Sequence, residues 1–358
     1  MGRVGGERQT SKSRCQTRLE GIVSKTQWLQ FPPKTGRKCK KGSRQIVISA
    51  AWTGLLVCIL QFEIASCRAE QHSNPPPSPL LESFFTDGIQ VVAGVSFVLP
   101  PPLLSDAHTP AAKREILDIL SARHGWQRFS RPSVMAPVHV ELSYIQDASG
   151  KRVGHHVYSA FIVHASMRTL RDQELMVSLF GAYGDDEGQQ IGFQPERPDS
   201  ELLSQVGIDV PDETSVRYSS IYLPLLNRVA LRGTARIEKE ESDSSVTIAW
   251  YFDPRFTFED WESLEDSKQR FANHYMKLER DELGRSVDSP PVPYLGCGGY
   301  LSVRETGQQP DQLFIESRLV LHEPAEWFAG SNFLRSKFPT VLQESAQSFR
   351  RRVMKANQ

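Results

Sequence analysis

Residues 332–354 read NFLRSKFPTVLQESAQSFRRRVM. Leu334, Phe338, Val341, Leu342, Phe349 and Val353 recur at spacings of three and four, which gathers them on one stripe of a helix. A helix with one apolar stripe is held in place by laying that stripe on something else. Pro339 lies inside it and predicts a kink or a late start. Arg350, Arg351, Arg352 and Lys355 crowd the C-terminal end, where cations suit the helix dipole and could also meet an anionic headgroup.

Upstream of this helix strands dominate, over residues 216–222, 228–239, 245–252, 272–279, 299–304 and 312–322. The second alternates: Val229, Leu231, Ala235 and Ile237 point one way, and Arg228, Arg232, Arg236 and Glu238 point mostly to water. The third matches it, with Val246, Ile248, Trp250 and Phe252 inward. Residues 138–145 and 153–163 flank Asp147-Ala148-Ser149-Gly150, a four-residue turn with glycine last, and so read as a hairpin. In that register Val138, Val140, Leu142 and Tyr144 share an apolar face with Val157, Phe161 and Val163. His139, Glu141, His156 and Tyr158 take the other face, and His155 points to the apolar side. Short helices are expected at 169–180 and 200–206. Thr109-Pro110 caps and opens another, with Ile116, Leu117, Ile119 and Leu120 as its apolar residues and Gly125 ending it. Residues 89–99 read as one strand, stopped by Pro100-Pro101-Pro102. Asn74-Pro75-Pro76-Pro77-Ser78-Pro79 reads as a stiff linker within residues 70–83.

From residue 153 the order is strand, two short helices, six strands and a long helix. Gly298-Gly299-Tyr300-Leu301-Ser302-Val303, the strand at 313–321, Trp327-Phe328, Asn332-Phe333-Leu334-Arg335, Phe338-Pro339 and Ser348-Phe349-Arg350-Arg351-Arg352 follow in turn. This resembles the START-like or helix-grip superfamily, with its polyketide-cyclase and lipid-transfer-like members. The resemblance implies an α+β fold over 153–358, a curved antiparallel sheet wrapped around a long C-terminal helix. Residues 84–152 would then be a strand–helix–strand extension. It also implies an apolar cavity under the last helix that takes an apolar small molecule or lipid. Trp250, Phe252, Met276, Leu319, Phe338 and Leu342 would line that cavity. If they fill it instead, the body becomes a structural or protein-interaction domain.

Residues 46–62, IVISAAWTGLLVCILQF, carry no charge and follow Arg37, Lys38, Lys40, Lys41 and Arg44. A basic region, an apolar core and a zone of small residues form an export signal. Three readings fit its end: cleavage after Ala69, lipidation of Cys67 in Ile64-Ala65-Ser66-Cys67, or retention of 46–62 as a short anchor. Residues 1–44 hold twelve Lys or Arg against Glu7 and Glu20, a basic tail suited to the cytoplasmic side of a membrane signal. From Glu70 onward the chain has 29 basic and 39 acidic residues, and an acidic body argues against nucleic acid as a partner. Membrane contact is expected through the N-terminal segment only. Cys15, Cys39, Cys58 and Cys67 all precede the body, which keeps Cys297 alone, so the core and not a disulfide framework must hold it. The body also resembles uncharacterised exported proteins of planctomycete-type bacteria, which implies location and no activity.

No Gly-x-Ser-x-Gly, phosphate-cradling Gly-Lys-Ser/Thr loop or His-Glu-x-x-His is present, and no catalytic residue or cofactor is implied. The sharpest polar cluster is the His139, Glu141, His156 and Tyr158 face, where the two histidines would be diagonal neighbours. The plainer reading is a solvated hairpin face without metal. Gly296-Cys297-Gly298-Gly299 reads as a turn or bulge, because a reactive thiol needs a nearby base. Asp185-Asp186-Glu187 lacks the ligand spacing of a calcium loop. N-terminal sequencing of the protein at its natural location should find a first residue near Glu70, or an acylated Cys67; an intact chain from Met1 would leave only the anchor.

Overall fold

A computed structural model of the chain describes residues 78–171, 192–193, 196–209, 216–226, 228–280, 286–328 and 331–356. They belong to one compact unit. The export signal, the basic tail, most of the 169–180 helix and Asp185-Asp186-Glu187 lie outside the described residues.

The hairpin forms as the alternation dictates, with β3 (His139–Gln146) and β4 (Arg152–His164) joined through the Asp147 turn. After α4 (Met167–Arg171), β5 (Gly192–Phe193) and α5 (Ser200–Gln205) come β6 (Val216–Leu225), β7 (Val229–Ser242) and β8 (Ser245–Phe252). Then follow α6 (Asp266–Gln269), β9 (His274–Arg280), β10 (Ser286–Asp288), β11 (Val292–Pro293), β12 (Cys297–Glu305) and β13 (Gln312–His322). The chain closes on α7 (Phe333–Ala356). Eleven of these strands make one antiparallel sheet, whose main path runs β10-β9-β7-β8-β12-β13-β4-β3. The pairing of β13 with β4 is long, from Gln312 opposite His164 to His322 opposite Gly154. Glycine makes the neighbouring ladder: a Cβ at Gly299 would run into the Arg318 carbonyl, and one at Gly298 into Tyr251 and the Trp250 carbonyl.

The concave face carries the apolar set of every strand. Val157, Phe161, Val229, Leu231, Ile237, Ile248, Trp250, Leu301, Ile315 and Leu319 join Leu334, Phe338, Val341, Leu342, Phe349 and Val353 of α7 in the main core. The helix begins at Phe333 and runs through Pro339 as one element, so the late start is not what the chain does. Near the helix C-terminus Arg350 is buried. Its guanidinium donates to the carbonyls of Ile162 (2.9 Å), Val134 (3.4 Å), Ala136 (2.5 Å) and Pro137 (3.2 Å). Burial, with Arg131 nearby, pulls its pKa down to about 10. It is a clamp between α7 and the segment before β3, not an exposed headgroup contact.

The convex face is covered as well, by the residues that precede β3. Here three expectations are corrected. α1 (Pro79–Thr86) begins inside the segment read as linker: Ser78 caps it, accepting from the Leu81 amide at 3.2 Å, and Pro79 takes the first turn. The single strand at 89–99 is instead the hairpin β1 (Ile89–Val92) and β2 (Val95–Phe97), turned at Ala93-Gly94 with Gly94 at φ 75°. The extension is therefore helix, hairpin, helix, with α2 (Pro110–Ser121) and α3 (Trp126–Phe129) closing it. Thr109 caps α2, accepting from Ala112 at 3.2 Å, as its sequence predicts. Ile119 of its apolar set is exposed, while Leu117 is buried against β4 and β13.

The third correction is Glu238, which does not point to water. It is 0% exposed, and its Oε2 accepts from the Ser78 hydroxyl at 2.6 Å and the Leu80 amide at 2.9 Å. Arg236 donates to Oε1. A carboxylate at the amino end of α1 stabilises the helix it holds. Phe338, fully buried between α7 and the sheet, tests the other face. Phe338→Ala should lower unfolding free energy by about 3–5 kcal/mol, read from denaturant midpoints; a loss near 1 kcal/mol would mean an open site there.

Candidate functional site

The six residues predicted to line an apolar interior come from four elements; five share the concave side, while Met276, opposite Ala230 in the β7–β9 ladder, lies on the other face of the sheet from Leu231 and Ile237. β8 supplies Trp250 and Phe252, β9 Met276, β13 Leu319, and α7 Phe338 and Leu342. All six are buried, with Met276 at 8% and Leu342 at 6% the most accessible. Trp250 and Phe252 meet edge to face at 6.5 Å, and Phe252 meets Tyr294 at 6.0 Å. Tyr294 in turn stacks on Trp327 at 5.5 Å, and Tyr275 meets Trp327 edge to face at 5.3 Å. The backbone of α7 comes closest to β4 and β3 and stands further from the rest of the sheet. The helix and sheet therefore form a wedge, and the large side chains occupy its wide side. Leu226, at the end of β6, packs into the same core with φ at 55°. A left-handed leucine is a strained backbone position.

One end of this interior is polar. A bulge in the hairpin pairs Ile145 with Gly154 but Gln146 with Arg152, so Val153 is the extra residue. The bulge lets Arg152 join the face of His155. Both reach Glu323, just past the end of β13: Arg152 at 3.3 Å through Oε1, and His155 Nε2 through Oε2. Asn332, at the start of α7, accepts from Arg152 and from the Tyr144 hydroxyl, each at 2.9 Å. Arg335 lies 4.8 Å over the Tyr144 ring. His155 and Glu323 are both nearly inaccessible, and His155 Nδ1 has no hydrogen-bond partner among the described residues. Sequence reading placed His155 on the apolar side but missed the cluster. Glu323 lies beyond the alternating run, and a bulge leaves no mark in the period.

The His139, Glu141, His156 and Tyr158 face is rearranged from its expected form. His139 pairs with Ala160 and His156 with Ser143, so the two histidines are not diagonal neighbours. His139 Nε2 bonds Glu141 at 2.8 Å, while His156 stacks on Phe97 of β2 at 4.9 Å. His156 and Tyr158 are buried beneath the extension, so this part of the face is not solvated. Burial, and Arg318 after it, pull His156 down to about 4. Among the described residues no group of three or more His, Cys, Asp or Glu could hold a metal. Beside Tyr158 lies Glu316, whose Oε1 accepts from the Leu103 amide at 2.9 Å. Arg318 reaches over the Tyr158 ring at 4.3 Å and donates to the Tyr300 hydroxyl, which donates to the Pro100 carbonyl at 2.8 Å. Burial pushes the Glu316 carboxyl up to about 7.

Cys297 opens β12 as an ordinary strand residue, not as a turn. Its thiol is buried and burial alone pushes its pKa up, which leaves it unreactive. A groove of about 360 Å³ runs beside α1 and the β1 hairpin, lined by Phe84, Asp87, Gln90, Arg236, Tyr251 and Cys297 among others. No residue of α7 lines it. No described helix is long and apolar enough to cross a membrane.

No family model matches the chain, and no curated protein matches it. Solved structures do. Human StAR-related lipid transfer protein 5 is 11% identical, over 70% of this chain and 96% of its own, with a TM-score of 0.33. A Thermus thermophilus protein is 11% identical over 57% of this chain and 99% of its own, at 0.26. An uncharacterised Rhizobium leguminosarum protein is 7% identical over 61% and 99%, at 0.27. At these scores the helix-grip fold rests on the chain's own strand order, curvature and last helix. The resemblance to planctomycete-type proteins gains no support from these matches.

Glu316 gives a pH test. Its folded pKa is raised, so the unfolded chain ionises first as pH climbs. Stability that Glu316 contributes in its neutral form is present below the usual carboxylate range and is lost as pH rises towards 7. His156, pulled down, acts oppositely and costs stability as pH falls from 6.5 towards 4. Comparing the wild type with Glu316→Gln isolates the carboxyl. The variant should match the wild type near pH 4 and exceed it by roughly 2–3 kcal/mol at pH 8, measured by urea unfolding. Parallel pH profiles would show that Glu316 ionises freely.

Proposed function

We infer that this protein is a binding module for an apolar or amphipathic small molecule or lipid, held between the curved sheet and α7. The observation that supports it is the wedge. α7 lies close to β3 and β4, and apolar side chains fill the wider side between it and the rest of the sheet, with polar groups at one end. That combination of an apolar lining with a few convergent polar groups is how small-molecule sites are built. Trp250, Phe252, Leu319, Phe338 and Leu342 would contact the ligand. The strained Leu226 at the β6 end is where such a wedge would open.

A second reading has its own observation. All six side chains are buried and packed together, which suits an interaction domain with a filled core. On either reading the body works outside the cytoplasm, a proposal that rests on the signal at 46–69. That signal would be cut after Ala69, lipidated at Cys67 or kept as an anchor.

Native mass spectrometry of the purified body should show a co-purified lipid or amphiphile, and the stripped protein should bind a fluorescent fatty probe. Leu342→Trp fills the wedge at the cost of about 1–3 kcal/mol of overpacking. It should remain folded by circular dichroism and lose at least tenfold in probe affinity. A wild type that carries no lipid and binds no probe would leave the filled-core domain.

A further inference from the structure

The groove beside α1 and the β1 hairpin belongs neither to the wedge nor to the polar hub at its end. Its volume of about 360 Å³ falls within the span of small-molecule sites, about 300–1,000 Å³. Arg236 and Tyr251, opposite each other in the β7–β8 ladder, line it from the sheet. Leu80, Phe84 and Ile89 line it from the extension, and Phe84 meets the Tyr251 ring edge to face at 6.1 Å. Asp87, just past the end of α1, lines it too.

The polar groups of this groove have bonds to spare. Arg236 gives one Nη to Glu238, its one hydrogen-bond partner among the described residues, and its side chain is 27% exposed. Glu238 is held in turn by the Ser78 hydroxyl and the Leu80 amide. A guanidinium carries five N–H donors, so Arg236 has donors left over. The Tyr251 hydroxyl makes no hydrogen bond among the described residues. Burial, with Asp253 nearby, raises its pKa, so it keeps the proton that it can donate. Asp87 is exposed and makes no ion pair among the described residues. One groove therefore holds donors on the sheet side and a carboxylate on the cover side, and the two do not reach each other.

That arrangement selects among ligands by charge. Arg236 shares its charge with Glu238, so a plain carboxylate would add a negative charge beside Glu238 and Asp87. A plain amine would satisfy Asp87 and leave the two sheet donors to water. A molecule with both charges meets both sides and adds no net charge. We propose that the groove is a second ligand site, for a zwitterion of the apolar α-amino acid class. Its carboxylate accepts from Arg236 and Tyr251, its ammonium donates to Asp87, and its side chain lies against Leu80, Phe84 and Ile89. The site is separate from the wedge and does not depend on a lipid being bound there.

The test compares three molecules that share a phenyl ring and differ in charge. Isothermal titration of the full chain is run with phenylalanine, with 3-phenylpropanoate, which lacks the ammonium, and with 2-phenylethylamine, which lacks the carboxylate. Phenylalanine should bind at least tenfold more tightly than either, the value of one hydrogen bond to a charged group. Asp87→Asn should bring phenylalanine down to 3-phenylpropanoate and leave 3-phenylpropanoate no weaker. Tyr251→Phe keeps the ring against Phe84 and removes the donor. It should weaken phenylalanine and 3-phenylpropanoate by about tenfold and leave 2-phenylethylamine unchanged. Arg236 is left in place because it also holds Glu238, and circular dichroism checks that both variants are folded.

Phenylalanine that does not bind, or that binds no better than one of its single-charge relatives, would overturn the proposal. So would affinities that ignore both Asp87→Asn and Tyr251→Phe. Phenylalanine that displaces a fluorescent fatty probe would lie in the wedge, which would reject the second site and leave the ligand-binding reading standing. A protein that binds phenylalanine in the predicted order but no fatty probe would keep this site and lose that reading.

Discussion

The sheet has to bury two faces at once. An antiparallel sheet commonly leaves one face to water. Here α7 covers the concave face and the residues before β3 cover the convex one. β4 is buried along ten consecutive residues as a result. Each polar side chain on the convex face must then find its partner inside the protein. Glu238 finds the amino end of α1, Glu316 finds the Leu103 amide, and Tyr300 finds the Pro100 carbonyl. The extension is held by the sheet's own polar residues as much as by its apolar contacts. The cost of burying those groups is offset because the backbone of the extension supplies their bonds.

The two faces divide the chemistry. Polar groups on the convex side fasten one layer to the next, although His156 Nε2 and Gln312 Nε2 there are buried with no partner among the described residues. On the concave side the packing is aromatic and aliphatic, and the Arg152, His155 and Glu323 cluster sits where α7 begins, at Asn332. That cluster keeps an unmade bond at His155, whereas the clamp at the far end of α7, Arg350, has its guanidinium on four carbonyls. A helix fixed firmly at its C-terminal end and joined by a polar hub at its start is anchored at both ends across the apolar wedge.

Much of the fold was legible because it depends on period. The strands over 245–252 and 312–322 match β8 and β13 residue for residue, and the spacing of Leu334, Phe338, Val341 and Phe349 predicts the buried stripe of α7. The facing of the β3–β4 hairpin followed from its turn. Period says which residues share a face, but not what lies against it. Glu238 and His156 therefore looked solvated, because the cover comes from residues up to 160 positions away. α1 was hidden by the prolines before it, since Ser78-Pro79 is both the end of a proline run and a helix start. The hairpin at 89–97 was hidden because one glycine, Gly94, was passed over in a β-branched run. Five of the six interior residues could be named from alternation and the resemblance; Met276 falls on the other face of β9. Arg152, His155 and Glu323 could not, because a bulge and a strand end bring them together.

The pairing of β4 with β13 has a consequence for how the chain comes to be folded. Residues 152–164 join the main sheet only when residues 312–322 arrive beside them. Closing a loop of that length is entropically costly and slow compared with local hairpins. A growing chain therefore holds β3 and β4 as a lone ribbon, with Val157, Phe161 and Ile162 bare on its two faces, until nearly all of the body has been synthesised. Two-stranded ribbons are marginal in water. The body thus stays unfolded through most of its synthesis, exposed to chaperones and to aggregation, and then gains its sheet, its helix and both covers almost together.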